Sequence, residues 1–72
     1  MGANSELTFG ARLRLHREAA ELTQAELAQA VGCAVVTVWR YENDRQHPGG
    51  ATLRRLGEVL NTSVDELLGV VA

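Results

Sequence analysis

Thr23-Gln24-Ala25-Glu26-Leu27-Ala28-Gln29-Ala30-Val31-Gly32-Cys33-Ala34-Val35-Val36-Thr37-Val38-Trp39-Arg40-Tyr41-Glu42-Asn43 holds two short helical patterns with a glycine between them. Thr23 and Glu26 have the spacing of a capping box, and Leu22 before the cap is available as a hydrophobic staple. The helix they open runs to about Val31 and stops at Gly32, a residue able to adopt the left-handed backbone that closes a helix. A further helix follows from about Ala34 to Asn43. The joint is too short for antiparallel packing, so the two helices must cross steeply, as in a helix-turn-helix. Ala28 is small where they approach, and Val38 with Tyr41 forms an apolar i, i+3 pair for the inner face. Ordinary bundles also use small-residue turns, so spacing alone leaves a plain helical bundle open.

Flanking this core, residues 1–5 read as a flexible, frayed start, with Ser5 a candidate cap. From about 6 to 20, Phe9, Leu13, His16 and Ala20 recur at helical spacing, with Arg12, Arg14 and Glu18 elsewhere on the cylinder. Arg45 to Gly50 is a loop broken by Pro48 and two glycines. A helix over 51–60 presents Leu53, Leu56 and Leu60 on one side, with Asn61 closing it. Ser63 and Glu66 form a second capping-box pattern opening a last helix through Leu68. The expected class is all-α: one five-helix domain over 6–69, the helix-turn-helix at 23–43, and a tail at 70–72.

With 72 residues, the chain buries only ~60% of its unfolded surface and needs a well-packed core. No apolar run approaches the ~18 residues of a membrane span, and the start lacks the basic-then-apolar pattern of a secretory signal. One cysteine, Cys33, makes neither an internal disulfide nor a zinc site. Two histidines, one cysteine and scattered carboxylates leave little material for catalysis. The expectation is a cytoplasmic, non-enzymatic domain with no metal, cofactor or small-molecule ligand. The net charge of −2 sits awkwardly with nucleic acid, since binders of it show a basic footprint. What matters, however, is which face carries each sign. All seven cations are arginines.

Phe9-Gly10-Ala11-Arg12-Leu13-Arg14, Leu22-Thr23-Gln24-Ala25-Glu26-Leu27-Ala28, Val36-Thr37-Val38-Trp39-Arg40-Tyr41-Glu42-Asn43 and Ser63-Val64-Asp65-Glu66-Leu67-Leu68 together resemble the Cro/C1-type helix-turn-helix domain, the lambdoid-repressor or Xre family. The resemblance covers about residues 8–69. It implies a five-helix globule whose third helix enters the DNA major groove while the second lies across the backbone. Thr23 and Gln24 then stand at a helix N-terminus suited to a phosphate, though Gln24 also reads as an ordinary solvated first-turn residue. Ala34, Val35, Val36 and Thr37 face base edges. Arg40, one turn beyond Val36, either bonds guanine O6 and N7 or remains solvated or phosphate-bound. Asn43 and Arg45 match positions that hold the sugar-phosphate backbone. Arg17 and Glu42 match a structural ion pair tying helix 3 to helix 1. The implied partner is double-stranded DNA, bound as a homodimer through the helix 4–5 region and the tail from Leu68 to Ala72.

Departures from the pattern carry their own expectations. Ala34 replaces the usual Ser or Thr cap at a cost of roughly 1 kcal/mol. Val35 and Val36 replace polar base readers and can only pack against thymine methyls. Asp44 and Glu21 stand where glycine is usual, and Asp44 adds negative charge near DNA. His16 reads as a partly buried, hydrogen-bonded core residue, and Cys33 as a small apolar filler. Trp39 points outward, with three roles open: a backbone contact along the groove wall, an anchor for a protein partner, or packing over the 45–50 loop. An interaction module that kept the fold and lost DNA is the competing reading.

Overall fold

Thr8 begins the first helix: its Oγ1 accepts from the Ala11 N–H at 3.1 Å, and the helical backbone starts at Phe9. The helix thus starts a few residues later than the expected start near residue 6. The alternative cap Ser5 lies outside the residues that the computed structural model describes, 7–70, as do the rest of the N-terminal segment and the last two tail residues. Five helices succeed one another: α1 Phe9–Ala19, α2 Gln24–Val31, α3 Val35–Glu42, α4 Gly50–Leu60 and α5 Val64–Leu68. No helix among the described residues is long and apolar enough to cross a membrane.

Helix boundaries follow local chemistry. Thr23 Oγ1 accepts from the Glu26 N–H at 3.0 Å while the Glu26 carboxylate accepts from the Thr23 N–H at 2.8 Å, so both arms of the capping box are made. At Ser63 the hydroxyl arm is the one formed, to the Glu66 N–H at 3.0 Å. Gly32 closes α2 with φ of 82°, and Gly32 to Ala34 is all that separates α2 from α3. α3 starts on Ala34 with no side-chain cap bond, and Asn43 lies just past its end. Helix α4 includes Gly50, one residue earlier than its leucine periodicity suggests.

The core gathers Leu13, Leu27, Ala28, Val31, Val38, Tyr41, Leu56, Leu60 and Leu67 from all five helices. Leu22 and Cys33 pack on its edge, as does Phe9. α2 packs on α3 and α4, α1 on α3 and α5, and α4 on α5. Two expectations for α1 fail. Ala20 is exposed, because it sits in the closing turn beyond the last helical residue. His16 is partly buried, but its ring makes no hydrogen bond among the described residues.

The 45–50 loop is fastened at α1. His47 meets Phe9 edge to face with centroids 4.8 Å apart, and Pro48 is buried.

Candidate nucleic-acid interface

Helix α3 divides cleanly between two faces. Val38 and Tyr41 are buried, whereas Val35, Val36 and Trp39 are 49%, 46% and 45% exposed. Ala34 and Arg40 are exposed too, and Thr37 is half-buried. Arg40 follows Val36 at i+4, so its side chain leaves the helix one turn along the same side. At the edge, Thr23 is exposed and Gln24 half-buried at the start of α2, with Asn43 and Arg45 exposed just beyond α3. Asn43 Nδ2 donates to the Trp39 carbonyl at 2.8 Å, engaging one of its amide protons in finishing α3.

A buried ionic hub holds α3 from behind. Arg17 Nε donates to Glu42 Oε2 at 2.6 Å and Nη2 to Oε1 at 3.2 Å. The two side chains are only 11% and 2% exposed. Arg17 Nη1 also donates to the Leu22 carbonyl at 2.8 Å, and Gln24 Nε2 to Glu42 Oε1 at 3.0 Å. The hydrogen bond to Glu42 holds the Arg17 guanidinium above its ordinary pKa despite the opposing cost of burial. Removing either charge would strand the other in a low-dielectric site, a loss on the order of 3–5 kcal/mol. Here the Gln24 side chain does not stand free in solvent at the helix tip; its amide is turned toward Glu42.

Four arginines are engaged within the fold. Arg12 Nε donates to the Leu67 carbonyl at 3.1 Å and Nη2 to the Leu68 carbonyl at 3.2 Å, capping the C-terminal end of α5. Arg55 does the same for α2 through the Val31 carbonyl at 3.3 Å. Arg14 pairs with Glu18 on the surface, and Arg17 with Glu42 inside. Arg40, Arg45 and Arg54 have no protein partner among the described residues, and two of these three lie on or just after α3. The acidic balance of the chain thus gives way locally to free positive charge.

Asp44 takes a part that its sequence context concealed. Its Oδ1 accepts from the Gly10 N–H at 2.9 Å, so the carboxylate is spent on the positive N-terminal end of α1. Only a folded chain brings residues 34 apart together, and the one legible signal was an acidic residue where glycine is usual. Arg12, off the core stripe in the sequence pattern, likewise finds its partners only in the fold, where its guanidinium reaches two carbonyls of α5. Burial raises the Cys33 thiol pKa, in keeping with a residue on the core edge.

Residues 8–68 match the sequence model of a helix-turn-helix domain family. The HTH-type transcriptional regulator ImmR of Bacillus subtilis (strain 168) is 35% identical over 63 residues, covering 88% of this chain and 50% of that protein. The chain therefore spans about half the length of this curated relative. The P22 c2 repressor in complex with synthetic operator 9T superposes with a TM-score of 0.85 at 31% identity, over 90% of this chain and 98% of that one. The solution structure of the P22 c2 repressor DNA-binding domain gives 0.83 at 32%, over 88% and 83%.

Proposed function

The chain belongs to the helix-turn-helix domain family in its Cro/C1-type form, and from that premise we propose that it is a sequence-specific DNA-binding transcriptional regulator acting as a cytoplasmic repressor. The observation that carries this reading is the outer face of α3, where Val35, Val36 and Trp39 are exposed beside an Arg40 that no described residue neutralises. In this reading α3 enters the major groove. Ala34, Val35, Val36 and Thr37 meet base edges, the valines packing on thymine methyls, while Arg40 bonds guanine. The backbone N–H groups at the start of α2, beside Thr23 and Gln24, receive a phosphate. Asn43 and Arg45 hold the sugar-phosphate backbone, and Trp39 lines the groove wall. One such domain offers too little interface for tight specific binding, so two copies bind half-sites about one helical turn apart. They meet through the α4–α5 region and the tail after Leu68.

The same exposed trio, with an isoelectric point near 5.6, supports a second reading: a protein-interaction module on this fold. Titration of random duplex at two salt concentrations separates them. A DNA binder loses affinity steeply, with a log–log slope of about −0.9 per phosphate neutralised. With an operator selected from a random pool, Arg40→Ala lowers specific affinity by ~1–3 kcal/mol. Absence of duplex binding at low salt, with salt-insensitive capture of another protein, would overturn the DNA reading.

A further inference from the structure

Glu42 is the meeting point of three helices. Its carboxylate accepts two bonds from Arg17 of α1 and a third, at 3.0 Å, from Gln24 Nε2 at the first residue of α2. A carboxylate only accepts, so the Gln24 amide must present its NH2 side there. The bond lies in a partly buried site, where an amide–carboxylate bond is stronger than in water. Its location is telling. The turn at Gly32 joins the near ends of α2 and α3, whereas Gln24 and Glu42 stand at their far ends. The turn and the shared core hold α2 against α3 from the Gly32 end and along their length, and the Gln24–Glu42 bond adds a tie at the other end.

We propose that Gln24 is a positioning residue for sequence discrimination: through Glu42 its side chain sets the angle of α3 against α2. The proposal rests on the DNA-binding reading above. In it, α2 sits on a phosphate and α3 on the bases, so the angle between them fixes the register of Val35, Val36 and Arg40 in the groove. Phosphate contacts place a protein without reading sequence. A side chain that serves only as a phosphate donor therefore contributes alike to every duplex, whereas one that aims α3 contributes mainly to the preferred site.

The test uses a site selected with the wild-type chain and compares Gln24→Ala with wild type on that site and on random duplex. The expected result is a fall of about tenfold in the ratio of the two affinities. Equal losses on both duplexes, with the ratio of the wild type kept, would overturn the proposal. A second arm needs no DNA. In the free protein, Gln24→Ala should shift the backbone amide resonances of Tyr41, Glu42 and Asn43. Shifts confined to the first turn of α2 would refute the tie to α3. Should the wild type bind no duplex at all, the DNA reading fails, and the resonance arm still decides whether Gln24 holds α3.

Discussion

Gly10 is confined to its identity by the backbone of another helix. A Cβ added there would come within 2.6 Å of the Tyr41 carbonyl oxygen and closer still to that of Glu42. Main-chain oxygens at the end of α3 cannot swing aside as a flexible side chain would. Gly10→Ala should therefore destabilise the domain by about 2–3 kcal/mol, overriding the ~1 kcal/mol that alanine brings to a helix interior. Gly50→Ala is the control, because nothing lies within 4 Å of a Cβ at that position. Urea unfolding of the two variants should move the midpoint in opposite directions. In the sequence, Gly10 stands inside the family-like motif with nothing nearby along the chain to require a glycine. The reason is a contact with residues more than thirty positions away.

Every described helix ends the same way, on a residue with left-handed backbone: Glu21, Gly32, Asp44, Asn61 and Gly69. At each, the N–H of the following residue reaches back to a carbonyl in the last turn, as Leu22 does to Arg17 at 3.1 Å and Arg45 to Arg40 at 2.8 Å. Gly32 and Asn61 were legible as stops because their residue types suit that backbone. Glu21 is a poor choice for it, and its backbone is held by the closing bonds around it. At the opposite ends, Thr8, Thr23 and Ser63 cap with hydroxyls, whereas Ala34 has no oxygen to offer. Ala34→Ser should stabilise α3 by about 1 kcal/mol, read as a rise of roughly 4–8 °C in thermal midpoint for a domain of this size. A midpoint at or below that of the wild type would mean the start of α3 is satisfied by other means.

Across the whole molecule, the resolved pKa shifts point one way. Burial raises the Cys33 thiol above its ordinary 9.0, and burial, with a smaller push from Cys33, raises the Tyr41 phenol above its ordinary 10.0. Both are acids whose neutral form the folded state prefers. Above its ordinary value each ionises first in the unfolded chain, so its contribution is whole below that value and is lost as pH climbs through the folded one. Arg17, raised by Glu42, has the same sign at still higher pH. Thermal midpoints should thus decline from about pH 9 upward, and Cys33→Ala should flatten the first part of that decline. A decline that the variant leaves unaltered would remove Cys33 from the account.

Periodicity, caps and small residues at turns are properties of neighbours along the chain, so the sequence by itself determined the five helices, the short α2–α3 joint and the inward faces of Val38 and Tyr41. The motif match also put Arg17 and Glu42 forward as partners, since both belong to one pattern. Folding alone decided which charges are spent. Arg12, Arg55 and Asp44 cap helices distant in sequence, and Gln24 bonds to Glu42 across 18 positions. A charged or amide group reports its type in one dimension but acquires its partner in three, because the partner is set by which helix ends the core brings within about 3 Å.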